Sequence, residues 1–192
     1  EPINEQTAWI TGSQVCYCAE AFQSVPREHP DAPALSVLAT VLRNGYLHTA
    51  IREKGGAYGA GATNDTSTNT FKFFSYRDPK CTETFAAFKD AVEWSKTSIT
   101  EQHLEEAILG VVSSIDKPLS PVGEAKNDFN FNLENISTKE RLEMRQRVIN
   151  CSIEDLIRVN EKYLTKESKK SILAGEAYRE EASSLGLTLR EV

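Results

Sequence analysis

The pair Gly55-Gly56 constrains this chain more than any other feature, because the hydrophobic spacing changes period across it. Upstream, Leu35, Leu38, Val41, Leu42, Leu47 and Ile51 follow helical spacing, which predicts a helix from Ala34 to about Lys54. Downstream, AYGAGAT (57–63) and NTFKFFSYR (69–77) are β-like runs separated by the polar tract NDTST, which predicts a hairpin. Glycine tolerates positive φ, so Gly55 and Gly56 are expected to stop the helix and turn the chain into the first strand. Gly45, inside the predicted helix, costs about 1 kcal/mol relative to alanine and points to close packing or a bend. A helix leading into a strand is the reverse of a phosphate loop, and no Gly-Lys-Ser/Thr follows. The glycines of 55–61 are therefore read as a helix stop plus a strand against which another backbone can lie closely.

Around this centre, residues 14–22 (QVCYCAEAF) alternate and predict a strand apolar on both faces, with Val15, Tyr17, Ala19 and Ala21 on one side and Cys16, Cys18 and Phe22 on the other. The stretch VPREHPDAP breaks regular structure, and Asp31 is placed to cap the helix that follows. Beyond the hairpin, Asp78 and Pro79 end the second strand and helical stripes dominate. Phe85, Phe88 and Val92 mark one helix. Leu104, Ala107, Ile108, Val111 and Ile115 mark a second, capped by Thr100. Val122, Ala125, Phe129, Leu133 and Ile136 form a third stripe. Ser137 with Glu140 reads as a capping box opening a helix to about Asn150, and Ser152 caps another through Tyr163. A short strand at 171–175 and an acidic helix complete the chain. Strands and helices do not alternate strictly, so the expectation is a single α+β domain over residues 1–192, with helices packed on one face of a largely antiparallel sheet.

Composition removes several functional classes. A chain of 192 residues can build one hydrophobic core. No apolar run approaches the ~20 residues of a membrane span, and the N-terminus lacks a signal-peptide pattern. With 22 Lys+Arg against 28 Asp+Glu, a net charge of −6 and no basic stripe, neither nucleic acid nor a membrane is an expected partner. Four cysteines, Cys16, Cys18, Cys81 and Cys151, are too scattered for a disulfide framework and fit reduced thiols in a cytoplasmic or other reducing compartment.

Three histidines, His29, His48 and His103, limit any imidazole metal site. His103-Leu-Glu-Glu106-Ala107 lacks the second imidazole of H-x-x-E-H, and a catalytic zinc normally needs three protein ligands. Cys16-x-Cys18 reads as two small buried hydrophobes on one strand, and His48 as a packing or surface residue. No Gly-x-Ser-x-Gly elbow is present. What remains is Arg52-Glu-Lys-Gly-Gly56-Ala-Tyr58. Arg52 suits a helix C-terminus, and Tyr58 opening a strand could equally be core. The glycine turn nevertheless allows guanidinium and phenol to share a rim, two donors able to bind peptide carbonyls or a developing oxyanion.

The string LHTAIREKGGAYGAGA (47–62), followed by FKFFSYRDP (71–79), resembles the C-terminal region of the pitrilysin/insulinase family of zinc metallopeptidases, in its presequence-protease and falcilysin branch. QVCYCAEAFQSVP and SIEDLIRVNEKYL are similar to the same region, so the resemblance covers nearly the whole chain. It implies a processing-peptidase-like domain, the last of four in a two-half clamshell that admits unfolded peptides. It also implies zinc held in the first domain by H-x-x-E-H, and an arginine and a tyrosine from the last domain reaching the substrate backbone. By motif these are Arg52 and Tyr58, with Gly56 in the turn between them. Since this sequence has no H-x-x-E-H, the chain is expected to be the fourth domain alone, consistent with its start at Glu1 without Met. It is expected to bind no metal itself, to be inactive by itself, and to self-associate through exposed interface surface. Two rivals stand beside this reading: a non-catalytic homologue acting as a scaffold, and a stand-alone peptide-binding module using the 56–63 strand as an edge.

Overall fold

The computed structural model describes residues 5–192. Six strands form one mixed sheet: β1 (Thr7–Thr11), β2 (Cys16–Gln23), β3 (Gly59–Asp65), β4 (Thr70–Asp78), β5 (Ser168–Gly175) and β6 (Thr188–Glu191), in the order β3-β4-β2-β5-β1-β6. The pairs β3–β4, β4–β2 and β2–β5 are antiparallel, whereas β5–β1 and β1–β6 are parallel. The expected α+β class with a largely antiparallel sheet is what forms. The two parallel strands at the far edge were not expected. Both are too short to display a period, at five and four residues, and β6 has a single half-buried position and no buried one.

Seven α-helices accompany the sheet: α1 (Ala32–Leu42), α2 (Thr82–Trp94), α3 (Glu101–Ile115), α4 (Pro121–Leu133), α5 (Thr138–Ile149), α6 (Ile153–Tyr163) and α7 (Arg179–Ser184). On the covered face, Phe71, Phe73 and Phe88 are buried with Leu35, Leu38 and Leu42, and the Phe73 and Phe88 rings stack at 5.3 Å. The other face is open. Strand β2 buries Cys16, Cys18, Glu20 and Phe22 and leaves Tyr17 and Ala19 exposed, so its second apolar side meets no helix. Tyr17 pairs with Leu173, and Leu173 with Trp9, in a row across this open face.

Three further expectations change. Beyond Leu42 the predicted long helix widens into a π-helical segment, Arg43–Glu53, closed by Lys54 N–H donating to Thr49 O at 3.0 Å. Gly45 is there for space: a Cβ would stand 2.6 Å from the Trp94 ring. Asp31 begins α1 but its side chain caps nothing. Its buried carboxylate instead accepts from Arg158 at 2.6 Å, Lys162 at 2.7 Å and the Tyr163 hydroxyl at 2.7 Å, tying α6 to the start of α1. Helix α4 has no buried residue, and Val122, Phe129 and Leu133 face solvent at 79, 62 and 66 % exposure. Phe131, half-buried with its ring against the Arg141 and Arg27 guanidinium groups, and an Asp128–Arg141 ion pair at 3.9 Å tie that helix to its neighbours.

The capping expectations other than that for Asp31 hold. Ser137 and Ser152 each accept from the residue three ahead, whose side chain returns the bond. Thr100 does the same with His103, whose Nδ1 accepts from Thr100 N–H at 3.2 Å while its ring packs on Trp94.

Candidate functional site

The expected turn forms as the sequence dictates. Gly56 has φ +87°, a conformation that L side chains rarely adopt, and Ala57 N–H donates to Ile51 O at 3.1 Å to close the helix end. The chain then enters β3, so Tyr58 stands one residue before the strand rather than opening it. The strand glycines make room for side chains, not for another backbone: a Cβ on Gly59 would meet the Tyr76 ring at 2.4 Å. That close approach lets Tyr76 lie beside Tyr58, with ring centroids 5.6 Å apart.

Arg52, on the last turn of the π-helical segment, and Tyr58, at 64 % exposure, line the same depression of about 840 Å³. His48, Glu53, Gly56 and Arg77 complete the part that concerns chemistry. Arg52 Nη1 donates to His48 Nε2 at 2.9 Å, and His48 Nδ1 lies 3.4 Å from Glu53. An arginine has only donors, so this pairing requires the tautomer whose proton sits on Nδ1, facing Glu53. The imidazole thus aims Arg52 along the rim. On the other side the Arg77 guanidinium lies 5.5 Å over the Tyr58 ring, and Arg77 O accepts from Tyr58 N–H at 3.3 Å. Arg77 has φ +50°, an unusual backbone state for a long side chain, at the point where the β2–β4 register shifts. Below the rim, Asp78 is fully buried, accepting from Thr84 Oγ1 at 2.7 Å and Lys80 N–H at 3.0 Å, and burial pushes its carboxyl up.

Arg52, Gly56 and Tyr58 were expected to share a rim and do so, whereas His48, Tyr76 and Arg77 beside them were not expected there. His48 was set aside as a packing or surface residue, although its spacing of four from Arg52 was a usable signal. Arg77 and Tyr76 reach the rim only through hairpin register, which no local pattern displays.

Solved structures show what kind of domain this is. A protease from Helicobacter pylori superposes with a TM-score of 0.72 over 90 % of this chain and 45 % of its own, at 20 % identity. The inactive domain of an M16 peptidase from Pseudomonas fluorescens gives 0.69 over 88 % of this chain and 43 % of its own, at 16 % identity. The fold is therefore that of M16 peptidase domains of the inactive type. More narrowly, the PreP C-terminal domain family matches residues 9–174, and the chain belongs to that family. Mitochondrial presequence protease of Drosophila melanogaster is 39 % identical over 163 residues, 83 % of this chain and 15 % of that protein. The Xenopus tropicalis protein is 36 % identical over 166 residues, 86 % of this chain and 16 % of that protein. The chain thus spans about 16 % of the length of the curated relatives it matches.

Membership in a zinc peptidase family raises the question of ligands. The histidines do not fit a hydrolytic zinc: His29 accepts from Asp31 N–H at 3.0 Å, His48 engages Arg52, and His103 caps α3. Among the described residues, the one group of three His, Cys, Asp or Glu side chains close enough to share an ion is Cys16, Cys18 and Cys81.

Proposed function

We propose that the chain is the C-terminal substrate-binding domain of a zinc-dependent metalloendopeptidase that degrades unstructured peptides, with Arg52 and Tyr58 binding the substrate backbone at the cut site. The observation that carries this reading is the placing of an exposed guanidinium and an exposed phenol on one rim, each steadied by a neighbour, His48 for Arg52 and Tyr76 for Tyr58. The open sheet face carries Tyr17, Leu173 and Trp9 in a row, apolar surface on which an extended peptide can lie.

Arg52 contributes fixed donors to a substrate carbonyl and so holds the chain in register. Tyr58 contributes a hydroxyl that strengthens its hydrogen bond as a carbonyl oxygen gains negative charge, which lowers the barrier to the tetrahedral species. Gly56 permits the turn that brings both to the rim. The histidines are engaged in other contacts, and this reading assigns the zinc chemistry to other domains of the same polypeptide, the expected partners besides the peptide. Neither nucleic acid nor a membrane is a partner in it. Four free thiols suit the cytoplasmic or other reducing compartment expected from the cysteine pattern.

The test is steady-state kinetics of the whole peptidase. Tyr58→Phe is expected to lower kcat by about 10²-fold with KM little changed, the size seen when one oxyanion donor is lost. Arg52→Ala is expected to raise KM. An unchanged kcat for Tyr58→Phe would count against the assignment. A second reading, a peptide-binding module that does not cleave, is favoured by the position of β3 at the sheet edge, where an extended peptide can add as a further strand. Calorimetry with an extended peptide and this chain alone distinguishes it, since the peptidase reading expects weak binding.

A further inference from the structure

Three of the four thiols stand far apart in sequence and meet in the fold. Cys16 and Cys18 project from β2 toward the covered face, and Cys81 stands at the N-terminus of α2. Their sulfurs all lie within 4.8 Å of one another, and the residues are 0, 1 and 0 % exposed. The corner that delivers Cys81 is anchored from two directions. Glu181 accepts from the N–H groups of Cys81 at 3.1 Å and Thr82 at 2.6 Å. The Tyr178 hydroxyl lies 3.4 Å from both Pro79 O and Gln14 O, with its single proton able to serve either, between the chain before Cys81 and the chain before Cys16. Opposite Cys18 across the β2–β4 pair sits Ser75, 3 % exposed, whose Oγ has no hydrogen-bond partner.

We propose that Cys16, Cys18 and Cys81 form a binding site for a thiophilic d10 cation, Cu(I) in preference to Zn(II), held by three thiolates. Sulfur is the donor such ions select over harder metals. An ion about 2.3 Å from each of three sulfurs in a plane holds them about 4 Å apart, so the observed cluster closes by at most about 0.8 Å per pair. The donors number three and the site is dry. Cu(I), which is stable with three sulfur donors and no fourth ligand, suits that set; Zn(II) is almost always four-coordinate, and the cluster offers it three donors. A disulfide fits less well. Cys16 and Cys18, two residues apart on one strand, have Cα atoms about 6.7 Å apart, near the outer limit for bridged pairs, and any bridge to Cys81 strands the third sulfur. The expectation that this chain holds no metal rested on its missing imidazoles, and the fold offers thiols in their place.

The experiment titrates the reduced, purified chain anaerobically with Cu(I) delivered from a chelator of known affinity, and separately with Cd(II) as a spectroscopic stand-in for Zn(II). Sulfur-to-metal charge-transfer absorption is the readout. One equivalent of at least one ion is expected to saturate the band, with the ion that binds more tightly identifying the occupant. Cys81→Ser and Cys18→Ser, each checked for an intact thermal transition, are expected to weaken binding at least tenfold, and Cys151→Ser to leave it unchanged. No band with either ion, a band indifferent to both cluster variants, or one lost in Cys151→Ser overturns the site.

Discussion

At the scale of single residues, Asp31 has the largest structural consequence. Burial opposes its ionisation, but hydrogen bonds from Lys162, Tyr163 and Arg158 outweigh that and hold its carboxyl well below the usual carboxylate range. A folded-state pKa below the unfolded one stabilises the protein above the unfolded value, about 4, and the contribution disappears as pH falls below it. Thermal stability is therefore expected to fall from about pH 4 downward, and Asp31→Asn to flatten that fall while costing about 2–3 kcal/mol at neutral pH in a denaturant titration. A parallel pH profile for the variant would contradict this. The sequence placed Asp31 before a helix and stopped at the local cap, because Arg158, Lys162 and Tyr163 lie on α6 and only the fold brings them near. Arg52 and Tyr58 were legible for the opposite reason: the turn that joins them is local. His103 shows the same contrast, a supposed metal fragment that serves a capping box.

At the scale of elements, α4 separates periodicity from burial. Its apolar stripe has helical spacing and forms a helix, yet among the described residues no helix or strand covers it. Val122→Lys or Leu133→Lys is expected to change stability by no more than about 0.5 kcal/mol, whereas Leu38→Ala, in the fully buried stripe of α1, should cost about 3 kcal/mol. Equal losses in a thermal melt would show that α4 packs inward after all. Thr100→Ala should cost about 1 kcal/mol by opening the cap of α3. The hairpin, the Gly56 stop and three caps were readable because each rests on chemistry within a few residues. The π-helical widening after Leu42 was not, since it keeps Leu47 and Ile51 buried just as an α-helix would. The parallel strands β1 and β6 were not readable either, because parallel partners are chosen by distant chain.

At the scale of the whole molecule, the described residues form one sheet with an open face and a helix, α4, whose apolar stripe is bare. Both surfaces suit a larger assembly, and the isolated chain is expected to self-associate with rising concentration. Light scattering should show this, and Phe129→Lys with Leu133→Lys should restore a monomer. If the chain contributes substrate-binding donors while the hydrolytic metal is held in other domains, as proposed, then cleavage of an unstructured peptide by this chain alone should stay at the background rate with zinc supplied and then chelated. Chelator-sensitive turnover would show that the chain carries its own catalytic metal.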